Sequence, residues 1–160
     1  MEKLSVCLCE GLGNMTLLDK GYNFPKSPKF QEINFDHCSD LEELPGNICN
    51  LTYLQKLSVT NCHLIQKLPD DFGRLRSLRV LRLSACPSLS MLPPSIFALM
   101  QLKFLDISLC RSLKDLPMEF DQLSKLKILD MRECSGLKKL PKALAKLRSL
   151  RCVICDESTE

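Results

Sequence analysis

A chain of 160 residues, 45% of them hydrophobic, has room for one domain with an ordinary core. Lys and Arg exceed Asp and Glu by 22 to 19, and the balance drifts from five bases and eight acids in residues 1–60 to nine and six in residues 121–160. That gradient is too mild for the dense basic face of a nucleic-acid binder. No apolar run is long enough to span a membrane, and the opening MEKLSVCLCEGLG has too short an apolar core and too early a Glu for a secretory signal.

The chain therefore reads as intracellular, cytoplasmic with the nucleus as a second compartment. The N-x-T sequons at Asn14 and Asn50 would matter only in a secreted protein. In residues 1–29, Leu4, Val6, Cys9, Leu12 and Met15 follow a strand-and-exit spacing that predicts a degenerate first repeat. The turn formers of GYNFPKSPK predict an insertion loop near residues 19–29. Regular register begins at Phe30. A Leu-Pro pair then returns every 24 residues, at 44/45, 68/69, 92/93, 116/117 and 140/141.

The repeats superimpose letter by letter. Leu57, Val59, Cys62, Leu68 and Pro69 come back as Leu81, Leu83, Cys86, Leu92 and Pro93, and the same slots recur through Leu105, Ile107 and Cys110 to Leu129, Met131 and Cys134. Alternation L-x-L predicts a strand with one buried face. After the Leu-Pro corner, P-x-x-[IF]-x-x-L has helical or 3₁₀ spacing, with proline suited to the first turn. Asp70 and Asp71 stand at the start of one such turn and Arg74 and Arg76 towards its end, as a helix dipole favours. A last strand at Leu150, Val153 and Cys155 closes the array, followed by the acidic tail DESTE.

A fixed period with L-x-x-L-x-L-x-x-C-x-x-L is the signature of a leucine-rich repeat. The expected fold is α/β: a horseshoe-arc solenoid with a parallel concave sheet and short helical or 3₁₀ segments on the convex side. It forms one domain over residues 1–160, made of an irregular N-terminal repeat and loop (1–29), five repeats (30–149), and the last strand with its tail (150–160). Ten cysteines suggest disulfides, but Cys38, Cys62, Cys86, Cys110 and Cys134 fill one slot of successive repeats. That slot predicts an inward ladder of free thiols acting as small hydrophobes, suited to a reducing compartment.

The strand residues between core positions predict the concave surface. One column reads Glu32, Lys56, Val80, Phe104, Ile128, Cys152; a second reads Asn34, Ser58, Arg82, Asp106, Asp130, Ile154. Two more run Asp36, Thr60, Ser84, Ser108, Arg132, Asp156 and His37, Asn61, Ala85, Leu109, Glu133, Glu157. Val80, Phe104, Leu109 and Ile128 thus form an apolar patch rimmed by Arg82, Asp106, Asp130 and Arg132, the pattern of a partner site. The other reading is that these apolar groups pack on one another or under a further domain.

Catalytic chemistry has little to rest on. His37 and His63 are the sole histidines, and no Ser or Cys nucleophile has a companion base in a defensible position. Cys152 and Cys155 have C-x-x-C spacing, but on a strand the first should face out and the second in. Cys7 and Cys9 share a face without a second pair nearby. No phosphate-cradling G-x-x-x-x-G-K-[ST] loop occurs. The expectation is a non-enzyme with no cofactor and no metal.

The letters at variable positions resemble one family. LSVTNC (57–62), LRVLRLSACP (78–87), PPSI (93–96), LKFLDIS (102–108), DMRECS (130–135) and SLRCVICDE (149–157) are similar to the C-terminal repeats of plant helper immune receptors. Those receptors are nucleotide-binding leucine-rich-repeat proteins with a powdery-mildew-resistance-type helical domain, here of the N-requirement-gene group. The resemblance spans roughly residues 1–157. It implies defence signalling and association with a lipase-like signalling heterodimer, or with a full-length receptor of the same class. The helical and nucleotide-binding domains are not in this sequence, so neither nucleotide switching nor direct membrane insertion is expected of it. Two other classes stay open: a generic scaffold such as a ubiquitin-ligase substrate adaptor, and, more distantly, a thiol redox or metal-binding protein.

Overall fold

The computed structural model describes residues 2–7, 29–140 and 142–156, and in the first strand the side chain of Lys3 alone. The predicted insertion loop and Cys9 lie outside the described residues. Seven strands form one sheet in chain order: β1 (Glu2–Cys7), β2 (Phe30–Asp36), β3 (Lys56–Thr60), β4 (Val80–Arg82), β5 (Phe104–Asp106), β6 (Ile128–Asp130) and β7 (Cys152–Ile154). Every neighbouring pair is parallel. From β2 onward the Cα partners are 24 residues apart, as in Lys56↔Val80↔Phe104↔Ile128↔Cys152. One sequence period is thus one strand step.

Alternation decides which face is covered. Leu57 and Val59, Leu81 and Leu83, Leu105 and Ile107, and Leu129 and Met131 are fully buried. Five 3₁₀ segments lie between the strands: η1 (Gly46–Asn50), η2 (Phe72–Arg74), η3 (Pro94–Ala98), η4 (Met118–Gln122) and η5 (Lys142–Lys146). Their spacing follows from the letters. In P-x-x-Φ-x-x-L-x-x-L the apolar residues recur every third position, which a 3₁₀ turn places on one face and an α-helix would rotate away. The bonds follow the same step: Ile96 N–H to Pro93 O, Leu99 N–H to Ile96 O and Leu102 N–H to Leu99 O, at 2.9–3.1 Å. Ile48, Phe72, Ile96 and Phe120 are fully buried by this means.

η2 corrects the dipole expectation. It is three residues long, and Asp71 makes no capping bond; its carboxylate instead lies 3.6 Å from Arg74 on the surface.

The strands β2 to β6 each leave the sheet through a left-handed residue. His37, Asn61, Ala85, Leu109 and Glu133 have φ between 54° and 62°. The first four donate their N–H to the carbonyl of the next repeat, at Thr60, Ser84, Ser108 and Arg132, over 2.8–3.1 Å. Glu133 has the Asp156 carboxylate there instead. Immediately after this turn comes the thiol slot. Cys38, Cys62, Cys86, Cys110 and Cys134 are buried and free. Cys110 and Cys134 donate to the carbonyls of Leu83 and Ile107 in the preceding repeat, both at 2.9 Å. Burial pushes the thiols of Cys62, Cys86 and Cys134 up to about 11, and that of Cys110 higher still.

The array loosens at β7. Val153 takes the slot of Leu129 yet is 37% exposed, and Cys155, in the slot of Met131, is exposed rather than turned into a core. Among the described residues nothing stacks on that side of β7. The strand alternation that should distinguish Cys155 from Cys152 therefore makes no difference to their exposure.

Candidate protein-interaction surface

Parallel register brings Val80, Phe104 and Ile128 into one row across β4, β5 and β6. All three are half-buried, because each is shielded on both flanks by a neighbour about 4.8 Å away. The row is consequently a shallow apolar ridge rather than a set of separate exposed side chains. The Arg82 guanidinium lies over the Phe104 ring, 5.4 Å from its centroid, which adds a cation–π contact to the ridge.

The expected charged rim is corrected by burial. Asp106 is 7% exposed and Asp130 is 5% exposed, so neither presents a carboxylate to a partner. Asp106 accepts from the Ser108 N–H (3.0 Å) and Ser108 hydroxyl (2.6 Å) through Oδ1, and from Arg82 Nε (3.2 Å) through Oδ2. Asp130 accepts from the Arg132 N–H and Nε (3.3 and 3.0 Å) through Oδ1, and from Arg132 Nη2 (2.6 Å) through Oδ2. Both carboxylates are anchors, and what reaches solvent is the guanidinium each one holds. Hydrogen bonding from Arg132 keeps the Asp130 carboxyl below its usual range, against the opposing effect of burial. The same contact raises Arg132.

Leu109 also differs from expectation. It is half-buried in the left-handed exit turn, at the end of the sheet rather than on its face. The row beside it is polar and internally bonded, with Ser84 and Ser108 hydroxyls 2.8 Å apart. The early repeats present a different surface: Glu32 lies between Lys3 (3.0 Å) and Lys56 (3.8 Å), and Asp36 accepts from Thr60, Asn61 and His37. The Thr60 hydroxyl and the His37 ring both address the same Asp36 oxygen, at 2.6 and 3.0 Å. The hydrogen bonds from Thr60 and Asn61 hold the Asp36 carboxyl below its usual range, which makes it a weak base toward the hydroxyl. His63 is exposed. Among the described residues no three His, Cys, Asp or Glu converge as metal ligands, and no helix is long and apolar enough to cross a membrane.

The family model for a leucine-rich repeat region matches residues 76–160, and a second, for a single leucine-rich repeat, matches residues 53–75. The chain belongs to the leucine-rich-repeat family. No curated protein matches it significantly. Solved leucine-rich-repeat structures share its fold at low identity. The leucine-rich-repeat domain of the type III effector XopL is 20% identical, with a TM-score of 0.50 over 79% of this chain and 61% of its own. A leucine-rich-repeat protein of Leptospira interrogans is 22% identical, with a TM-score of 0.50 over 96% of this chain and 48% of its own. TLR13, in its complex with ssRNA13, is 21% identical, with a TM-score of 0.51 over 79% and 25%. This leucine-rich-repeat chain thus spans between a quarter and three fifths of the length of those solved chains.

Two features of the surface had no signal in the strand pattern. The anchoring role of the aspartates is written in D-x-S and D-x-R, where a carboxylate can take the N–H two residues on, as in an Asx turn. The stacking that half-buries the apolar row appears only once the strand register is known.

Proposed function

We propose that this leucine-rich-repeat chain is a non-catalytic protein-interaction module of plant innate immunity that binds its partner with the concave face of repeats three to five. The observation that carries the binding surface is the Val80–Phe104–Ile128 ridge, flanked by Arg82 and Arg132, each held by a buried aspartate. An apolar centre with pre-oriented guanidinium groups is what interface cores favour. The immune role is supported by the resemblance of the variable letters to helper receptors. It places the chain in the cytoplasm, with the nucleus as a second compartment, and names a lipase-like signalling heterodimer or a full-length receptor as partner. Supplied as a separate chain, this repeat region would compete with full-length receptors for a shared partner, so its overexpression should dampen defence cell death. Unchanged or heightened death counts against competition.

The deciding experiment is capture from infected leaf tissue with the wild-type chain and with Phe104→Glu. The half-buried ring lies outside the core, so the variant should keep its fold and lose lipase-like immune proteins from the eluate. Recovery of ubiquitin-ligase subunits instead would favour the adaptor reading, and unfolding of the variant would mean the ridge is core.

A further inference from the structure

In four successive repeats the residue just ahead of the strand is basic: Arg79, Lys103, Lys127 and Arg151. A main-chain ladder stacks them, each donating its N–H to the equivalent residue one repeat earlier (Gln55, Arg79, Lys103 and Lys127 in turn) at 2.8 Å. Their backbones are therefore one strand step apart, about 4.8 Å, in a line about 14 Å long. All four are exposed, as are Arg76, Lys125 and Arg148 in the same loops. Residues 76–79, 100–103, 124–127 and 148–151 contain no acid.

Several bases elsewhere are matched at home, Lys56 by Glu32, Arg82 by Asp106, Arg111 by Glu133 and Lys146 by Asp121, whereas Lys114, Lys138, Lys139 and Lys142 form no ion pair among the described residues and stand outside this ladder. Among the described residues none of the seven bases in these loops forms an ion pair; Lys125 bonds only the neutral Gln101 amide, at 2.8 Å. Neighbours in the line sit within one Debye length, about 8 Å in physiological salt, so their fields add and an external anion would relieve them.

We propose that this edge of the solenoid is a docking strip for a membrane surface bearing anionic lipid headgroups. The ladder uses the main-chain N–H groups at the strand starts, which leaves a partner little but side-chain charge to recognise. The four loops hold no aromatic side chain on which bases could stack. A flat, multivalent anionic surface needs only the charges, and each Lys or Arg near it contributes separately. Met100, 49% exposed among these loops, and Tyr53, 58% exposed one repeat before them, suit the headgroup boundary. The strip borders the concave ridge, with Lys103 directly before Phe104, so its test uses only substitutions outside the ridge.

The test is sedimentation with vesicles of phosphatidylcholine alone and of equal parts phosphatidylcholine and phosphatidylserine. Wild type should pellet with the anionic vesicles only and be released by high salt. Lys127→Gln should lower partitioning about fivefold, and joint Gln replacement of Arg79, Lys103, Lys127 and Arg151 by several hundredfold. Gln at Lys114, Lys138, Lys139 and Lys142 removes the same charge elsewhere and should leave most binding intact. Failure of wild type to pellet overturns the proposal, as does equal loss in the two quadruple variants. Retention on polyuridylate or polyglutamate without vesicle binding also overturns it, and would assign the strip to nucleic acid or to acidic protein.

Discussion

Ala85 holds a φ of 54° with no side-chain hydrogen-bonding group to favour it. A left-handed L-residue costs about 1–2 kcal/mol, and glycine removes that cost while adding unfolded-state entropy worth about 0.5–1 kcal/mol. Ala85→Gly should therefore raise unfolding free energy by about 0.5–1 kcal/mol, read as a higher urea midpoint at unchanged slope. Asp130 makes a prediction in pH. Its folded carboxyl lies below the ordinary value near about 3.9, so its contribution is complete above that value and is lost as pH falls through the folded pKa. Asp130→Asn should destabilise the chain at neutral pH, and the gap from wild type should close in acid titrations below about pH 4. A gap that persists in acid would show that Asp130 acts by shape rather than charge. At this scale the sequence was only partly legible. Leu57, Leu81 and Leu105 announce their burial by type and period, whereas Ala85, Leu109 and Glu133 carry no preference for the left-handed turn. The burial of the Asp106 and Asp130 carboxylates is absent from the strand alternation and shows only in the letters D-x-S and D-x-R, whose partners two residues on replace solvent.

At the scale of the element, the 3₁₀ segments set how closely neighbouring repeats approach. Gly73 in η2 shows the limit: a Cβ there would sit 2.2 Å from the Ser95 carbonyl oxygen and 2.9 Å from the Ala98 methyl of η3. Gly73 N–H also bonds the Ser95 hydroxyl at 3.1 Å. Main chain cannot yield as a side-chain tip can, so Gly73→Ala should cost about 1–3 kcal/mol, measured by chemical denaturation. A neutral result would mean that η2 and η3 can separate without loss. The choice between α and 3₁₀ for these segments was open in the sequence until the threefold spacing of Pro93, Ile96, Leu99 and Leu102 was matched to bonds of the same step. The strands were legible from alternation alone, although their three-residue length in β4 to β7 is shorter than the run of apolar letters suggests.

Over the whole molecule, stability is a sum of neighbour terms, since each repeat buries its apolar side against the next. A charge in the middle has two interfaces to disrupt. Leu105, fully buried in β5, touches both directions of the stack. Leu105→Asp should abolish the cooperative unfolding transition, seen by circular dichroism during thermal melts, whereas Val153→Asp at the loose edge of β7 should leave most of it. Equal damage from both would contradict a one-dimensional stack. The expected solenoid follows from the period, and the burial of Cys155 failed because a repeat rule presumes a neighbour on each side.

The unbroken offset of 24 between Cα partners, from β2 through β7, has an evolutionary corollary. Recombination that adds or removes one whole unit rejoins identical seams, so the protein can lengthen or shorten its reach without inventing a new junction. An insertion inside a strand would turn its later side chains to the wrong face, whereas one between strands is accommodated, as the 29-residue step from Leu4 to Ile33 shows. Diversity in such a lineage is thus free to gather in the number of units, in the connections between strands, and in the letters between the leucines.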